Sequence, residues 1–311
     1  RPVASSLNYV AGQTVPNLVT VPLGADGNVD FFNHVGTVDV VADLEGYYAD
    51  RPPGGGEFLT ALQDPERLLD TRDANSGTAG KPVGAGGIAQ VSVRNVDPDA
   101  EETIGAVVVN VTVTASTTTS FLTVYPDGAT RPTTSNLNFT TGQTISNLVT
   151  VPVLSDGVVD IFNHVGTAHV IVDLEGYYTH PFAFDPATAA TSFTPLSPTR
   201  ILDTRTTTGG HHAVIGPRGR ATLQVAGMAG IPADATSVVL NVTGVSPTAA
   251  TFVTAVPDGA FDPGTSDLNI AAGQTVPNMV VVPIASNGKI DFFNNAGQIN
   301  VVADVTGYFA D

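Results

Sequence analysis

Residues 142–178 read GQTISNLVTVPVLSDGVVDIFNHVGTAHVIVDLEGYY, and the punctuation of this stretch decides the fold. Its apolar runs are short and dominated by Val, Ile, Thr and Phe, the residues that a pleated, half-buried surface selects. Asp156-Gly157 interrupts them, a pair that tolerates positive φ in a tight hairpin turn. The same signal returns at Asp26-Gly27, Asp127-Gly128, Asp258-Gly259 and Asn287-Gly288. Along 37–48, Val38, Val40 and Ala42 fall on one face of an extended chain and Asp39, Val41 and Asp43 on the other. No segment reads as an amphipathic helix of three turns, and residues 192–202 are broken by proline.

The stretch is one of three copies. Residues 12–48 match it at 26 of 37 positions, and residues 273–309 match 12–48 at 21 of 37, at spacings of 130 and 131 residues. Identity this high marks recent tandem duplication. A second matching block lies upstream of the later two copies. RLLDTR at 67–72 pairs with RILDTR at 200–205, VVVNVTV at 107–113 with VVLNVT at 238–243, and VYPDGA at 124 with AVPDGA at 255. The chain therefore divides into the back part of a unit at 1–51, a full unit at 52–180 and a full unit at 181–311. ADRPPGGGE at 49–57 and the segment 179–192 join them.

With eight to ten strands expected in about 130 residues, and turns every 8–12, each full unit reads as an antiparallel β-sandwich of jelly-roll type. Propeller blades need only about 40–50 residues. Within each unit, 104–125 and 145–162 resemble one another, and each reads as a hairpin of two apolar strands. The fold class is all-β: two tandem sandwiches preceded by a half-unit.

Composition narrows the function. Twelve basic residues face 29 acidic ones, for a net charge of −17, which would repel nucleic acid. The absence of cysteine excludes disulfide frameworks and thiol chemistry. No apolar run approaches the roughly 20 residues of a spanning helix, so no membrane insertion is expected. Neither a G-x-S-x-G elbow nor a repeated Ser/His/Asp set is present, so no enzyme is expected. His34 and His164 recur but Asn295 replaces them in the third copy, which argues against a metal ligand. His211-His212 is not repeated at all. No cofactor is expected. Calcium is the one ion that the acid-rich 97–102 stretch and the Asp-Gly turns bring into consideration, although no EF-hand loop is present.

Two sets of residues stand out. Asp43, Asp173 and Asp304 each lie inside an apolar strand shortly before a G-Y-(Y/F) triplet, and a buried acid needs a partner. The LDTR arginines, Arg72 and Arg205, are the expected partners in a bidentate pair that closes each sandwich. Asp43 then has no such partner, because the half-unit carries no LDTR. Aromatics also repeat. Tyr48, Tyr178 and Phe309, with Tyr125, are the candidates for stacking on sugar rings, and core filling is the competing role. Neighbouring residues in a strand, such as Phe31/Phe32, Ile161/Phe162 and Phe292/Phe293, point to opposite faces, so one of each pair should face outward. The N-x-T triplets at Asn110, Asn138 and Asn241 lie in strand-like runs and read as strand polar residues.

The combined string of R-x-L-D-T-R, VVLNVTV, FLTVYPDG, GQTVPNLVTVPV and DLEGYY resembles a repeat of secreted actinobacterial proteins, over essentially the whole chain. There it accompanies peptidoglycan amidases, peptidases or large surface proteins. The resemblance implies export, a cell-envelope setting and a non-catalytic role, with no ligand residues to carry over. A half sandwich leaves strand edges and apolar faces uncovered. It is part of a longer parent, or self-sufficient, or completed by another molecule; completion repeated head to tail would give a fibre. The expected partners are thus a second subunit or neighbouring repeat through 1–51, with cell-wall polysaccharide as the rival.

Overall fold

The computed structural model describes residues 6–44, 46–48, 58–94, 104–179, 192–261 and 265–310. The joining segments 49–57 and 180–191 and the acidic 97–102 lie outside the described residues. The first full unit runs β1 (Phe58–Asp70), β2 (Ile88–Ser92), β3 (Ile104–Thr114), β4 (Ser120–Pro126), β5 (Leu137–Phe139), β6 (Ile145–Pro152), β7 (Val158–Asn163) and β8 (His169–Thr179). The second repeats it with β9 (Ser192–Asp203), β10 (Gly219–Gln224), β11 (Ser237–Val245), β12 (Thr251–Pro257), β13 (Leu268–Ile270), β14 (Thr275–Pro283), β15 (Lys289–Asn294) and β16 (Asn300–Ala310).

Two four-stranded antiparallel sheets face each other in each unit. Their orders are β1-β8-β3-β6 over β2-β7-β4-β5, and β9-β16-β11-β14 over β10-β15-β12-β13. This is the order of an eight-stranded jelly roll, and the all-β sandwich reading holds. The expected hairpins do not form: β3 and β4, like β6 and β7, lie in opposite sheets. Asp156-Gly157, with Gly157 at φ 62°, turns the chain across the core instead of back along the same sheet. Each strand has an apolar face, and crossing between sheets lets consecutive strands bury those faces against each other.

Alternation sets the core. Val107, Val109, Val111 and Val113 of β3 and Val172 and Leu174 of β8 pack inward against Leu122, Val124, Val159 and Ile161. Leu240, Val242, Phe292, Ile290 and Val305 do the same in the second unit. The opposite faces of β3 and β11 are buried too, because Val108, Leu148 and Leu59 of one unit and Val239, Met279, Val281 and Phe309 of the other form a shared apolar cluster. Glu175 is an extra residue in β8, bulged between Leu174 and Gly176, which oppose Val109 and Val108. Thr306 holds the same place in β16. The glycine that follows the bulge is required, since a Cβ at Gly176 would lie 2.6 Å from the Thr60 carbonyl oxygen.

No strand occurs among the described residues of 6–48. The topology supplies the reason. Within a unit, β6 pairs with β3, β7 with β2 and β4, β8 with β1 and β3, and β5 with β4. Every ladder partner of a back-half strand thus comes from the front half, which the segment lacks. Its apolar residues stand in solvent as a result. Leu44 is 86% exposed where Leu174 is 0%, and Phe32 is 60% exposed where Phe162 is 5%. Leu174→Ala is therefore expected to cost about 2–5 kcal/mol, whereas Leu44→Ala, at the same motif position, changes stability by less than about 0.5 kcal/mol. Denaturant unfolding of both variants checks this.

Candidate functional site at the junction between units

The buried aspartates are paired, but by a different arginine from the one the motif suggested. Strand register places Arg67 opposite Asp173 and Arg200 opposite Asp304. Arg67 Nε and Nη2 donate to the Asp173 carboxylate at 2.7 and 3.0 Å, and Arg200 donates to Asp304 at 2.9 and 3.1 Å. Arg72 and Arg205 lie past the strand ends and fold back onto Asp70 and Asp203 of their own motif. Each of these hydrogen bonds holds its carboxyl below the usual range. R-x-L-D-T-R thus contains two arginines with separate tasks, one closing the sandwich and one fixing the turn. Asp43 is exposed, and no arginine among the described residues bonds to it.

The aromatic candidates gather at the junction or inside the units. Tyr48 Oη lies 2.5 Å from Tyr178 Oη, and the Tyr48 ring sits 4.2 Å from Phe193 and 6.4 Å from Phe309. Phe309 and Tyr125 are buried and offer no open stacking face. In the full units the second residue of these pairs is covered as well: Phe162 and Phe293 are both buried, and the Arg131 guanidinium lies 3.8 Å over Phe162. His164 stacks on Phe121 at 4.6 Å, while His34 is exposed.

Sequence reading missed the residues that build the junction. β6 and β14 are sheet edges, whose outward N–H groups need partners. Asn278 of the second unit supplies one: its Oδ1 accepts from Leu148 N–H at 3.1 Å, and its Nδ2 donates to Asn110 Oδ1 at 3.1 Å. Asn110 Nδ2 in turn donates to the Ser266 carbonyl, and Ser146 Oγ donates to the Asp267 carbonyl at 2.6 Å. Asn110, read as a strand polar residue, is therefore an inter-unit hook. The only signal in the sequence was an asparagine repeated in all three GQT-x-x-N strings.

Two buried acids meet across the same junction. Glu175 is buried with no partner on Oε1, and burial, then the Asp267 charge, raise its carboxyl well above the ordinary range. Asp267 is pushed up to about 7, chiefly by burial, although the Ala255 N–H donates to it at 2.7 Å. Asp173, the third acid facing them, is also raised by burial, with Arg67 opposing the shift. Among the described residues, no three His, Asp or Glu side chains cluster as metal ligands. No family model matches the chain, and no curated protein matches it.

Carboxyls raised in the folded state bind protons that the unfolded chain releases, so stability falls as pH rises from about 4 through about 7. The first unit carries Asn136 where the second has Asp267, with the same backbone bond from Val124 N–H at 2.8 Å. Asp267→Asn is therefore expected to flatten the decline in melting temperature between about pH 5 and pH 8 and to raise stability at the upper end. Thermal melts across that range measure it.

Proposed function

We propose that this chain is a non-catalytic structural module of the extracellular cell surface. Its tandem sandwiches are locked to one another and display what they carry at fixed spacing, and its N-terminal half-unit is completed by another segment or subunit. The observation that carries the reading is the junction: an apolar cluster ringed by asparagine hydrogen bonds holds two repeat units as one body. Flexibly strung binding modules need no such interface, and domains in one chain otherwise move freely by default. The motif string supports an exported setting. Burial of Tyr125 and Phe309 weighs against the rival reading of a glycan-binding repeat.

Asn278→Ala leaves Leu148 N–H and Asn110 Oδ1 without their partner, at a cost of about 2 kcal/mol. Rigid display expects one cooperative thermal transition in the parent chain and two separated transitions in this variant. Two independent transitions in the parent would sink the reading. Capture of the parent by insoluble peptidoglycan, lost in Tyr48→Ala, would move the assignment to the glycan-binding rival.

A further inference from the structure

The contacts of residues 6–48 repeat those between the full units. Asn17, Asn147 and Asn278 are equivalent under the repeat, as are Leu18, Leu148 and Met279. Each of the three asparagines donates to a backbone carbonyl eleven residues upstream: Ser6 at 2.7 Å, Asn136 at 2.7 Å and Asp267 at 2.8 Å. Asn278 of the second unit then caps Leu148 N–H and bonds Asn110 of the first. In the same way Asn17 caps Met279 N–H at 3.1 Å and donates to Asn241 Oδ1 of the second unit at 2.9 Å.

The series therefore runs from half-unit to second unit to first unit. One more step would run from Asn147 of the first unit back to the half-unit, with Leu18 N–H as donor. That bond is not made, and Asn147 Oδ1 is buried with no partner. The equivalent residues Tyr48, Tyr178 and Phe309 already meet where the three would converge. A line of units would not bring the half-unit against both of the others; a ring of three does.

We propose that residues 6–44 and 46–48 are the acceptor half of a third sandwich, completed by a front half-repeat of this same repeat type, and that its docking closes a ring of three units. This rests on the proposed function in taking the half-unit to be completed from elsewhere, and it replaces an open fibre with a closed ring. The occupant must bring four strands equivalent to β1–β4. The first carries the leading arginine of R-x-L-D-T-R, to meet Asp43. The third carries the asparagine of V-x-N-V-T, to accept from Asn147 Nδ2. A second copy of the chain is not the occupant, because both of its front halves are already interleaved with their own back halves. Completion would also cover Val40, Val41, Leu44 and Phe32, all exposed here and all buried at the equivalent positions of the full units.

The repeat spacing defines the test. Joining a copy of residues 52–130 ahead of Arg1 restores the native register, since Arg1 is equivalent to Arg131. A second graft of residues 181–261 does the same with the other front half, should the first fail to fold. The expected result is a monomer in which chymotryptic cleavage at Phe31, Phe32 and Tyr47 slows by about a hundredfold or more. Small-angle scattering should show a compact three-unit particle. Asn110→Ala within the grafted copy should lower its melting temperature. Unchanged cleavage in both grafts overturns completion. Slowed cleavage with an extended particle overturns ring closure while leaving the rigid-display reading, which the two-transition test on the parent decides separately. Concentration-dependent dimers of the ungrafted chain, with the same cleavage sites protected, would assign the acceptor to a second copy and overturn the proposed occupant.

Discussion

The constraint on which everything else depends is the interleaving of front and back strands. In this jelly roll no strand of the back half finds a ladder partner among its own kind, apart from partners contributed by the front half. Backbone N–H and C=O groups that lack a ladder must turn to water, and apolar side chains without a facing sheet remain exposed. The same motif therefore builds buried strands in two places and no strand among the described residues of the third. A half of this fold is not a small domain. Its strands need the front half as ladder partner, and the described residues of 6–48 form no ladder of their own.

The junction shows how the repeat manages its edges. Exposed edges such as β6 and β14 invite indiscriminate pairing. Here a side-chain amide from the neighbouring unit takes the edge N–H, so the contact is specific to an asparagine at one register position and does not extend the sheet. The apolar residues around it, Leu148 and Met279 among them, complete a small dry patch. Burying Glu175 and Asp267 in the same place is costly unless they are protonated, and their raised proton affinity ties the strength of the junction to pH.

Much of this was legible in the sequence. The period and the all-β class follow from repeated strings and turn pairs, because those depend on local chemistry. The connection between strands was not legible. Asp-Gly marks a tight turn without saying whether the chain returns along its own sheet or crosses to the other one, so hairpins were expected where crossings occur. The Asp173 and Asp304 pairs were found but given to Arg72 and Arg205, since motif spacing does not reveal that Arg67 and Arg200 hold the facing register. Asn17, Asn110 and Asn278 were invisible as a set. Their meaning arises only between units, and an asparagine in a strand has many bland explanations.

Residue-level amide hydrogen exchange on the intact chain tests the interleaving claim most directly, because it compares three copies of one motif in a single molecule. The account predicts slow exchange across 145–152 and 275–283, and exchange near the unfolded rate at the equivalent positions 15–22, apart from the few amides held by the Asn17 contacts. Equal protection in all three copies would contradict it, by showing that the back half builds its own ladder without the front.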